Sequence, residues 1–118
     1  MLTLDGVGRV YLAAGYTDMR KSIDGLAALV SGVLEQNPVS AHCFVFCGRH
    51  RDRLKILHWD HNGFWLYYRR LERGRFTWPD AGEASAVCIT ARQLRWLLDG
   101  LRVEECRAHR AVSASIVI

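Results

Sequence analysis

Val10-Tyr11-Leu12-Ala13 is a short apolar run that Gly15 breaks, and it predicts a first strand. Apolar residues then recur at Met19, Ile23, Leu26, Val30 and Val33, with Ala27 and Leu34 beside them. Steps of three and four mark one face of a helix. Thr17 is placed to cap that helix, and Asp18 suits the positive end of its dipole. Asn37-Pro38 ends it, because the residue before a proline avoids helical angles. Cys43 to Cys47 is apolar throughout, which predicts a central strand covered on both faces.

After the charged turn from Gly48 to Asp52, Leu54 to Trp59 reads as a strand, and Phe64 to Leu71 as its antiparallel partner. Asn62-Gly63 between them is a two-residue hairpin signal, since both types tolerate positive φ. With that pair as the loop, Trp59 faces Leu66, Leu57 faces Tyr68 and Lys55 faces Arg70. Each face of the hairpin then runs from apolar near the turn to basic at the far end. Gly74 to Pro79 suggests a short edge strand, and Ala81 to Ala86 a flexible connection. Thr90-x-x-Gln93 is a capping box, and Leu94, Leu97, Leu98 and Leu101 give the helix behind it an apolar face. From Val103 onward no period is clear. The expected fold is α+β: a mostly antiparallel sheet of four or five strands, with one long helix and a shorter C-terminal helix packed on it. One domain is expected over 1–102, followed by a tail over 103–118.

Composition changes this picture little. The chain has 118 residues, half of them apolar or aromatic, enough to bury a core without metal or disulfide staples. No stretch approaches the roughly 18 apolar residues of a membrane span. The start lacks a basic segment followed by an apolar run, so no signal peptide is read. A cytoplasmic protein without membrane contact is expected, and its four cysteines should stay reduced there.

Charge changes the picture more. Between Arg49 and Arg75 lie eight basic residues: Arg49, Arg51, Arg53, Lys55, Arg69, Arg70, Arg73 and Arg75. Only Asp52, Asp60 and Glu72 oppose them, so this segment carries +5 of a whole-chain +4, and the rest stands at −1. This is a localised field and not a general solubility device. Arginine forks phosphate, and the rings interleaved in YYRRLERGRFTWP can stack on unpaired bases. Those eight residues are therefore the candidate nucleic-acid contacts. A solvated sheet edge with its rings in the core is the plain alternative. Arg20 and Lys21 either join the surface or are simply wet.

Other chemistry is weaker. His42, Cys43, Cys47, His58 and His61 are possible metal ligands, but Cys43 and Cys47 lie about 13 Å apart by strand rise, too far to share an ion. They read as core thiols and surface imidazoles, with no metal and no cofactor. Asp18, Asp24, Asp60 and Glu72 have local explanations as a helix-start charge, a wet face, a turn residue and an arginine partner. No catalytic site is expected. Trp59 reads as core, whereas Trp65 and Trp78 are open between core and stacking platform. Trp96 falls off the leucine stripe, which marks it as an exposed anchor for a partner protein.

The stretches VYLAAGYTDMRKSIDGLAALV (Val10 to Val30), FVFCGRHRDRLKIL (Phe44 to Leu57), HWDHNGFWLYYRRLERGRFTWP (His58 to Pro79) and ITARQLRWLLDG (Ile89 to Gly100) occur in this order. Together they resemble the small accessory protein, often called TnpB, of the insertion-sequence-66 family of bacterial transposable elements. The resemblance spans about residues 7 to 101. It implies a product encoded beside a separate, larger transposase and needed for efficient transposition. It carries no catalytic residue. The partners it implies are element DNA, the transposase and other element-encoded proteins. A protein–protein adaptor without DNA contact is the alternative role. The family's short basic ending is replaced here by RVEECRAHRAVSASIVI from Arg102.

Overall fold

The structure, a computed structural model, describes residue 4 and residues 6–103. Its elements are β1 (Val10–Ala13), α1 (Ile23–Gly32), β2 (Cys43–Cys47), β3 (Arg53–Asp60), β4 (Gly63–Arg70), β5 (Ala86–Ile89) and α2 (Ala91–Leu98). The strands form one sheet in the order β4-β3-β2-β1-β5. The α+β class is as expected, but the sheet is mixed where a mostly antiparallel one was expected. β1 pairs parallel with β2, and the other pairings are antiparallel. The reason is the connection: α1 carries the chain back across the sheet, and a crossover of this kind makes its two strands parallel.

α1 and α2 cover opposite faces of the sheet. Leu26, Val30 and Leu34 pack with Phe44, Phe46, Leu57 and Ala13 on one side. Leu94 and Leu97 pack with Val10, Leu12, Val45, Leu54, Ile56 and Phe76 on the other. All five residues of β2 are buried, as the unbroken apolar run implied. Val103 also belongs to the α2-side core. The rest of the expected tail, 104–118, lies outside the described residues.

The helices are 10 and 8 residues, not one long and one short. Thr17 does not cap α1. Its N–H donates to Cys47 O at 2.8 Å, which ties it to the end of β2. Asp18 closes a local turn by accepting from Arg20 N at 2.9 Å. These two bonds divert residues 17–21 from helix, and Ser22 becomes the N-cap. At the far end the helix stops at Gly32, and Glu35 takes a left-handed φ of 54°. Val33, expected on the buried face, is 55% exposed. The capping box of α2 forms as expected, Thr90 Oγ1 accepting from Gln93 N and Gln93 Oε1 from Thr90 N. Leu101 lies past the end of α2 and is 47% exposed.

Two further expectations are corrected. Residues 74–79 form no strand, and the fifth strand is Ala86–Ile89, paired with β1. The flexible connection is also shorter than expected, since Ala14 N–H donates to Ser85 O at 2.9 Å. The hairpin register is shifted by two residues: Asp60 pairs with Gly63, so His61 and Asn62 form the loop. The left-handed residue is His61, with φ 57°, and Asn62 N–H closes onto Asp60 O. Because the shift is even, every side chain keeps its expected face. Its opposite number changes: Trp59 faces Phe64, Leu57 faces Leu66, Lys55 faces Tyr68 and Arg53 faces Arg70.

Candidate nucleic-acid interface

The backbone gathers the arginines of the basic segment at one end of the β3–β4 hairpin, away from the His61-Asn62 loop. Arg49 and Arg51 sit in the β2–β3 turn, which Gly48 N–H closes onto Arg53 O at 3.0 Å. Arg53 begins β3, and Arg69 and Arg70 end β4 beside it. Arg73 and Arg75 follow in a loop pinned at both ends to the same turn. Leu71 N–H donates to Asp52 O at 2.7 Å, and Phe76 N–H donates to Arg51 O at 2.6 Å. Phe76, 1% exposed, anchors that return in the α2-side core. Burying one ring therefore places two otherwise distant arginines with the others.

Charge at this end is poorly balanced. Arg70 pairs with Glu72 at 2.9 Å, an exposed contact that contributes little. Arg49, Arg53, Arg69, Arg73 and Arg75 are exposed and have no ion pair among the described residues. Arg53 and Arg70 stand directly opposite each other across the ladder, like charges that repel unless solvent or an anion separates them. A groove of about 430 Å³ opens beside Arg53, lined by Arg49 and His50 and also by Asp18 and Asp52.

The remaining cations differ. Lys55 Nζ donates to Lys21 O at 2.8 Å and lies 5.7 Å from the centre of the Tyr68 ring, so it ties β3 to the segment before α1. Arg51 is half-buried and lines a cleft of about 420 Å³ with Tyr16, Trp78 and Asp80. Arg20 forks Asp18, with Nη2 2.8 Å from Oδ2. Its hydrogen bonds hold the Asp18 carboxyl down to about 2. That pair stays ionised and mutually neutralised at any physiological pH.

The rings divide by role. Trp59 is half-buried against Phe64, edge to face at 5.0 Å. Trp78 is half-buried, and its Nε1 donates to Ala13 O at 3.0 Å, so it clamps the returning loop to β1. Trp65 is 54% exposed but lies near the other end of β4 from Arg70, bonded to Asp60 and stacked on Tyr67. The exposed ring beside the arginines is Tyr68, at 53%, which sequence reasoning did not single out. Its position two residues before Arg70, on the same strand face, was the available signal. Trp96 is half-buried, not exposed as expected.

The other candidate residues are engaged locally. His42 Nδ1 accepts from Arg9 N at 2.8 Å, and His58 Nδ1 lies 3.2 Å from His42 O. Burial pushes the Cys43 and Cys47 thiols up to about 11. Among the described residues, no group of three or more His, Cys, Asp or Glu side chains is placed to hold a metal ion. No helix there is long and apolar enough to cross a membrane.

Two uncharacterized proteins of Sinorhizobium fredii are similar to this chain. One, y4hO, is 45% identical over 93 residues, covering 79% of this chain and 80% of the relative. The other, y4jC, is 32% identical over 93 residues, covering 79% of each. No solved structure matches the chain. The sequence matches the family described as IS66 Orf2 like protein over residues 8–108, and the chain belongs to that family.

Proposed function

We propose that this protein is a non-catalytic accessory factor in transposition that binds element DNA through the basic end of its β3–β4 hairpin. The observation that carries this reading is the gathering of five exposed, unpaired arginines at one end of the sheet. Phosphates would sit between guanidinium groups such as Arg53 and Arg70, relieving their repulsion and accepting from their forked donors. Contacts of this kind fix position along a duplex without reading its sequence. The local engagement of Asp18, Asp60 and Glu72 supports a role without chemistry of its own. Trp96 is half-buried, whereas the five arginines are exposed, and this favours the basic end over the α2 helix as the contact surface.

The test is fluorescence anisotropy with two labelled duplexes, one carrying the element's terminal repeat and one scrambled. Binding of both that is lost when Arg69, Arg70, Arg73 and Arg75 become alanine is the expected result. A preference for the repeat would add site recognition. An absence of binding at low salt, together with capture of the transposase by the same surface, would replace this reading with the adaptor.

A further inference from the structure

β4 is an edge strand of eight residues, and its backbone shows which groups face outward. Leu71 N–H donates to Asp52 O, one step beyond the Arg70–Arg53 pair of the same register. In an antiparallel ladder, residues alternate between bonding inward and facing away. Trp65, Tyr67 and Arg69 therefore direct their backbone groups to β3. Phe64, Leu66, Tyr68 and Arg70 direct theirs to the open edge. Among the described residues, no backbone hydrogen bond reaches that edge.

The side chains point to the same place. Trp65 and Tyr68 are both more than half exposed, yet they lie on opposite faces of the sheet. A ligand resting on either face would cover one ring. A strand added at the edge would lie beside both.

We propose that β4 pairs antiparallel with β4 of a second copy, about a two-fold axis at Tyr67. In this register Phe64 stands opposite Arg70 of the second copy, and Leu66 opposite its Tyr68. All four outward residues then find partners within the strand, for about eight hydrogen bonds across the interface. A slip of two residues either way pushes Phe64 or Arg70 past the end of the partner strand, and a slip of one puts the side chains on the wrong faces. The same register sets Arg69 opposite Trp65 and Arg70 opposite Phe64, so each arginine meets a ring. Within one copy, by contrast, Arg53 meets Arg70. Parallel self-pairing would set arginine beside arginine. The halves of β4 are thus complementary to each other only when a second copy runs the opposite way. The product is a continuous ten-stranded sheet with its two Arg70 residues about 20 Å apart along the strands.

The inference does not depend on nucleic acid, and its test omits it. Sedimentation of the full chain over a wide concentration range is expected to show a monomer–dimer equilibrium. The register is read by cysteine pairs in a chain carrying Cys88→Ser and Cys106→Ser. Trp65 and Arg69 occupy a pair that is not hydrogen-bonded across the proposed interface, with Cα atoms about 4.5 Å apart, within disulfide reach. The Trp65→Cys/Arg69→Cys variant should oxidise to a covalent dimer, as should a mixture of the two single variants. Either single variant alone should not. A monomer at every concentration with no cross-link overturns the proposal and leaves the edge to a strand from a different protein. A wild-type dimer that does not cross-link, or cross-linking by one single variant alone, also overturns it, because the pairing would then be a different one.

Discussion

Arg53 and Arg70 face each other across an exposed rung of the sheet, where opposite charges would be more stable. Replacing Arg53 by Gln should raise stability by about 0.5 kcal/mol in chemical denaturation while weakening DNA binding. A variant that lost stability, or bound as tightly as the wild type, would remove the argument that this pair awaits an anion. Trp78 makes the opposite case, of a ring that belongs to the fold. Trp78→Phe loses the bond to Ala13 O and should cost about 1 kcal/mol, with DNA affinity unchanged. The buried thiols of Cys43 and Cys47 make a third case. Their raised pKa leaves little thiolate at neutral pH, so alkylation of the native protein should modify Cys88, which is exposed, and spare these two. The sign for stability follows from proton binding. Above the ordinary thiol value of 9.0 the unfolded chain loses these protons first, while the folded thiols keep theirs to about 11. Stability from this source is therefore present below pH 9 and falls as pH rises toward 11, which urea unfolding at a series of pH values would register.

Elements carried by local signals were readable in the sequence. β1 and β2 were bounded by Gly15 and by the unbroken run from Cys43 to Cys47, and α2 by its capping box. That cap gives a direct test: Thr90→Ala should cost about 1 kcal/mol by loss of the bond to Gln93 N. What was not readable depended on distant partners. The start of α1 is set by Thr17 bonding to Cys47, thirty residues away, and a local cap preference competes poorly with a bond that completes the end of a buried strand. β5 is four residues without a turn signature, and it is strand only because β1 offers an edge. The hairpin loop fell one step earlier than Asn-Gly implied, because His61 takes the left-handed conformation. The arginines of the site were countable from the start. Their convergence was not, since it depends on Phe76 returning to Arg51.

At the scale of the molecule, two helices occupy the two faces of the sheet and leave its ends and outer edge to other work. One end collects Arg49, Arg53, Arg69, Arg73 and Arg75, while the rest of the chain is close to neutral. Such an end acts as a single charged surface, and salt should weaken its binding accordingly. The most direct measurement is the dependence of duplex affinity on salt, for the wild type and for the variant with Arg53, Arg69, Arg73 and Arg75 changed to alanine. The wild type should show a steep fall of log affinity with log salt, and the variant a slope shallower by about 0.9 for each phosphate contact removed. An equal slope in the two proteins, or no binding at low salt, would contradict DNA binding through this end.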